Sequence, residues 1–136
     1  MSNAIYAKAK KGFLDGVFDL IDDTLKICLV KNSYSVDLNS HEFLSDIDTS
    51  HIAATSGSLS NKSTDSGIFD AGDVTIENYG TSGFHYLVLF KDTGTRSTSR
   101  LIAYIDTGDG LPVHSTVDTI SITINWSNTI SKIFTL

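Results

Sequence analysis

The tripeptide Asp-Thr-Gly occurs twice, at Asp92-Thr93-Gly94 and at Asp106-Thr107-Gly108. Aspartic proteases use this triplet to set two carboxylates about 3 Å apart, sharing one proton, from equivalent lobes or from the halves of a symmetric dimer. Two copies this close in sequence cannot come from separate lobes, and Lys91 precedes the first where an apolar residue is expected. Asp and Gly also start turns after strands, the Gly supplying positive φ, and both triplets read as turns. A calcium loop fares no better. Asp106, Asp109 and Gly110 begin like one, but the twelfth position, which needs a bidentate Glu, is Val117. Asp65, Asp70 and Asp73 offer only a loose site between loops.

The histidines His41, His51, His85 and His114 share no metal-ligand spacing, and His41-Glu42 is not followed by a second His four residues on. With 18 Ser and 15 Thr any serine triad could be drawn by chance, and the G-x-S-x-G elbow is absent. Cys28, the one cysteine, sits in the apolar run Leu25, Ile27, Cys28, Leu29, Val30; burial there makes a thiol inert. Tyr79, Phe84, Tyr86, Tyr104 and Trp126 could stack on sugar rings, although such residues more often fill the core of a small β domain. The expectation is a non-enzymatic protein with no catalytic residue, cofactor or metal.

What remains is surface. The chain has 136 residues and a net charge of -6, enough for one core. The acidic balance disfavours nucleic acid as a partner, and no apolar run approaches the roughly 18 residues of a membrane span. The N-terminus lacks the apolar stretch of a signal peptide, so a soluble product made in the cytoplasm is expected. Lys8, Lys10 and Lys11 form the one basic cluster, beside Ile5, Tyr6 and Phe13. Those six residues are the candidate interaction site. They would dock on an acidic surface or between subunits, or else form an amphipathic helix covering the protein's own core.

The elements that must position them begin with that helix. Ile5, Tyr6, Ala9, Phe13 and Val17 recur at three- and four-residue spacing, which predicts a helix from Asn3 to Asp15, capped by Ser2 or Asn3 and stopped by Gly16. Gly12 inside it lowers helix propensity by about 1 kcal/mol relative to Ala and marks a close contact or an early end. Residues 25–30 predict a strand buried on both faces. Asn39 or Ser40 can cap a short helix within residues 37–47, and residues 50–66 read as a long loop holding one edge strand. Phe69, Val74 and Ile76 alternate loosely. Residues 85–90 and 101–105 predict a hairpin with a long loop. Ile120, Ile122, Ile124 and Trp126 alternate as a half-buried strand, and Ile130 to Leu136 closes an edge. The fold expected is mainly β: an antiparallel β-sandwich, jelly-roll or immunoglobulin-like, over residues 24–136, with an N-terminal helix or arm over residues 1–16 in the same single domain.

Several blocks, in order, carry a resemblance: Lys11-Gly-Phe-Leu-Asp-Gly16, Thr24-Leu-Lys-Ile-Cys-Leu-Val30, His41-Glu-Phe-Leu-Ser-Asp-Ile47, Gly67-Ile-Phe-Asp-Ala-Gly-Asp-Val74, Lys91-Asp-Thr-Gly94 and Ser99-Arg-Leu-Ile-Ala-Tyr-Ile-Asp106. It runs on through Gly110-Leu-Pro-Val113 to Ile133-Phe-Thr-Leu136. Together they resemble a family of small virion proteins of tailed bacteriophages and prophages, over nearly the whole chain. The Ser/Thr-rich stretch from Thr55 to Ser66 departs from the pattern. The resemblance implies a structural part of the particle, with head decoration preferred: a cement protein on the major capsid protein, acting at the virion surface as a homotrimer. A neck or tail component and a carbohydrate-binding host-attachment module are the alternatives.

Overall fold

The apolar run of residues 25–30 builds the centre of the molecule. In the computed structural model, which describes residues 4–31, 33–64, 67–69, 71, 74–77, 86–105, 121–124 and 134–135, β2 (Leu25–Val30) is a central strand buried on both faces. Here β1 is Ala4–Ile5, β3 Ile52–Thr55, β6 Tyr86–Lys91 and β7 Arg100–Ile105. All pairings are antiparallel, in the order β1-β7-β6-β2-β3. The expected hairpin is β6–β7, and the edge strand expected within residues 50–66 is β3. Strands β4 (Ile68–Phe69) and β5 (Val74–Glu77) pair antiparallel with β9 (Phe134–Thr135) and β8 (Ser121–Ile124), as two separate two-stranded ribbons.

Period-two side chains divide the core between the two faces of the large sheet. Leu25, Ile27, Leu29, Leu87 and Leu89 meet Leu20, Leu59, Phe69 and Ala71 on one face. Cys28, Val30, Val88, Phe90 and Leu101 meet Tyr6, Ala9, Tyr34, Leu44 and Ile47 on the other. A register shift at Leu89/Phe90 opposes one extra β7 residue to β6, so that Ile102 and Ala103 both join the first face. Among the described residues the protein is mainly β, with one five-stranded antiparallel sheet and one short α-helix.

That helix, α1 (Ala7–Leu14), starts four residues later than expected. Residues 4 and 5 instead pair with Tyr104 and Ala103 of β7, because joining a sheet edge satisfies their backbone better than an isolated first turn. Tyr6 is the N-cap, without a side-chain cap bond; its N–H donates to Ile102 O (3.1 Å), and that of Ala7 to Leu38 O (2.7 Å). Neighbouring strands and loops thus do the work expected of Ser2 or Asn3. The stop is as expected: Gly16 has φ +76°, its N–H donates to Phe13 O, and that of Val17 to Gly12 O, the paired bonds of a Schellman end. Gly12 is where a ring comes close. A Cβ there would lie 2.6 Å from Phe18 Cε2.

The short helix expected in residues 37–47 is replaced by two tight turns. Asp37 Oδ1 accepts from the N–H groups of Asn39 and Ser40, and a 3₁₀ turn, Leu44–Asp46, follows after Phe43 bridges to Arg100. Asp46 Oδ2 accepts from the N–H groups of Glu42 and Phe43. Carboxylates that bond nearby amides offer the backbone an alternative to the α-helix, and here two Asp residues do so. Among the described residues no helix is long and apolar enough to cross a membrane.

Candidate functional site

Helical geometry sorts the six N-terminal candidates into two sets. Tyr6 is fully buried and Ala9 and Gly12 share its side of α1, while Ile5 and Phe13 are half-buried against both core clusters. Phe13 packs on Phe18 with ring centroids 4.9 Å apart. These apolar residues cover the chain's own sheet. Lys8, Lys10 and Lys11 lie on the opposite, exposed side with Leu14, which is 88% exposed. Lys11 pairs with Asp15 one turn on; Lys8 and Lys10 have no ion-pair partner among the described residues.

Beside this face lies a shallow depression of about 190 Å³, walled by Lys8, Lys11, Asp15, Glu42 and Arg100. Arg100 donates to Glu42 Oε1 at 2.7 Å and stacks over the Phe43 ring at 5.0 Å, so its charge is already matched. On this face, among the described residues, Lys8 and Lys10 are the cations without an ion pair. Ile21, 45% exposed, is the other large apolar side chain left open to solvent among the described residues.

The first Asp-Thr-Gly is a turn. Gly94 has φ +86° and donates its N–H to Asp92 Oδ1 at 3.0 Å; Asp92 also pairs with Lys26 at 2.9 Å. The Lys26 ammonium, and next the Gly94 amide, hold Asp92 below the usual carboxylate range. The second triplet, the calcium candidates Asp65, Asp70, Asp73, Asp106 and Asp109, and His85, His114, Tyr79, Phe84 and Trp126 lie outside the described residues. Burial pushes the Cys28 thiol up to about 12. Tyr104 is buried, its ring 5.1 Å from that of half-buried Tyr86, which places both against the core. No cluster of His, Cys, Asp or Glu suited to a metal occurs among the described residues.

Spacing gave no sign of a polar chain that links the helix to the loop between β2 and β3. Tyr6 Oη lies 2.9 Å from Tyr34 Oη, and Tyr34 Oη lies 2.9 Å from His41 Nδ1. Burial keeps both phenols protonated, pushing Tyr34 up to about 12 and Tyr6 higher still. His51 approaches the same Tyr34 ring at 6.5 Å and bonds Ser33 Oγ through Nδ1 at 2.8 Å. These residues stand 28 and 7 positions apart along the chain, a separation no short motif detects. No family model matches the chain, and no curated protein matches it either.

Proposed function

We propose that the protein is a non-enzymatic structural component of a tailed-bacteriophage virion, a decoration or cement protein that binds the major capsid protein lattice at the particle surface as a homotrimer. The observation that carries the reading is the outward face of α1. On a chain of net charge -6 it gathers Lys8, Lys10 and Lys11 beside exposed Leu14, a basic surface suited to an acidic shell. The inward face of the same helix fixes it to the sheet, so the lysines project from a rigid element. The resemblance of the sequence blocks supplies the particle as the setting.

The β-sandwich is part of the same proposal: the β4–β9 and β5–β8 ribbons form a second layer over the sheet face opposite α1. Burial of Phe69 and Ala71 with Leu25, Leu29 and Leu87 supports it. Cryo-electron microscopy of particles whose genome encodes this chain tests the role. Copies spread over the shell at three-fold positions are expected; copies confined to one vertex would make it a neck or tail component, and their absence from particles would overturn the reading.

A further inference from the structure

The Tyr6–Tyr34–His41 chain has a direction, and only one direction gives both phenol protons an acceptor. Tyr6 is fully buried, Tyr34 nearly so, and His41 half-buried. The Asp37 N–H points at His41 Nδ1, at 3.4 Å, so Nδ1 carries the lone pair and the ring is neutral with its proton on Nε2. Tyr34 then donates to Nδ1, and Tyr6 donates to Tyr34. If His41 takes a second proton, Nδ1–H becomes a donor facing the Asp37 N–H. Tyr34 must turn round to accept it, and whichever way the Tyr6–Tyr34 bond then runs, one of the two phenol protons is left buried with no acceptor among the described residues. A buried donor without a partner is expensive.

We propose that this relay is a proton-operated latch, in which neutral His41 holds the loop of residues 34–41 against the start of α1 and protonation of His41 releases it. The latch has a second contact, the bond from Ala7 N–H to Leu38 O, which lies between Tyr34 and His41 in the chain and loosens with them. The released imidazolium has somewhere to go. Asp37, on the same loop, and Asp46, on the 3₁₀ turn, both feel the charge of His41. The Ser40 hydroxyl, then the Ser40 and Asn39 amides, hold Asp37 below the usual carboxylate range. Partial burial opposes ionisation of Asp46, and the amides of Glu42 and Phe43 outweigh it. Both therefore remain anions across the pH range of the test below, and they draw the imidazolium from Tyr34. Glu42 is next in sequence but is engaged by Arg100. His51, on the far side of the Tyr34 ring, bonds Ser33 and takes no part in the relay.

Amide exchange, corrected for intrinsic rate and followed from about pH 8 to about pH 5, tests the latch on the full chain. Protection at Ala7 and across residues 34–41 is expected to fall about tenfold on acidification, while β2 and β6 stay protected. His41→Gln keeps an acceptor that cannot be protonated and should make this protection independent of pH; His51→Gln should behave as wild type. Unchanged wild-type protection, or an undiminished response in His41→Gln, overturns the proposal. A reading that needs no variant is the ¹⁵N spectrum of the His41 ring at about pH 8. An unprotonated Nδ1 is expected, and a proton on Nδ1 would overturn the proposal equally.

Discussion

Gly12 sets two residue-scale effects against each other. Replacing it with Ala would favour helix by about 1 kcal/mol, yet the new Cβ would sit 2.6 Å from the Phe18 ring, and moving that ring breaks its packing on Phe13. Overpacking of this kind typically costs about 1–3 kcal/mol, so Gly12→Ala should be destabilising in urea unfolding by about 1 kcal/mol net. In a Phe18→Ala background the sign should reverse, which a double-mutant cycle reads directly. Ser56 is the second such site. Its Oγ accepts the N–H of Ile27 at 2.9 Å inside the core, taking a place that a backbone carbonyl would normally fill. Ser56→Ala leaves that amide unpaired and should cost about 1–3 kcal/mol. Neither contact was legible beforehand. The helical glycine advertised a close approach but not the ring responsible, and one Ser among 18 in the chain carries no sign of being buried.

At the scale of elements, legibility followed the source of the stabilising contacts. Strands β2, β6 and β7 stand where their apolar runs put them, because burial on two faces leaves a mark in every residue. The Schellman end of α1 was legible in Gly16. The start of α1 was not, since Tyr6 and Ala7 are capped by Ile102 and Leu38, partners far off in sequence. Residues 37–47 went the same way, their turns being fixed by Asp37, by Asp46 and by Arg96. Arg96 Nη2 donates to Leu44 O at 3.1 Å and also to Ile47 O, tying the 3₁₀ turn to the β6–β7 loop. Arg96→Ala should therefore cost about 2 kcal/mol and raise amide exchange in residues 44–47, with Arg96→Lys intermediate. The same loop carries an acid-sensitive contact. Asp92 ionises in the folded protein below the ordinary 3.8 because of Lys26 and the Gly94 amide. Between those two values the unfolded state holds the extra proton, so this contribution is complete above 3.8 and is lost as pH falls. The gap in urea midpoint between wild type and Asp92→Asn should narrow as pH drops from about 5 to about 2.5.

For the whole molecule, the short helix α1 has two faces, and the proposed docking uses only the outward one. Its inward face belongs to the core through Tyr6 and Ala9, and β1 before it completes one edge of the sheet. Deleting residues 1–11 should consequently abolish cooperative thermal unfolding, which shows that loss of binding by such a truncation would say nothing about docking. The outward face can be altered alone. Lys8→Glu with Lys10→Glu reverses two exposed cations that hold no ion pair among the described residues and leaves the Lys11–Asp15 pair intact. Surface changes of this kind alter stability by no more than about 0.5 kcal/mol. Co-sedimentation of this double variant with capsid shells, alongside its thermal midpoint, tests the central claim most directly. The account predicts an unchanged midpoint with binding weakened at least about tenfold and wild-type binding that falls with salt; wild-type affinity in a folded double variant would contradict it.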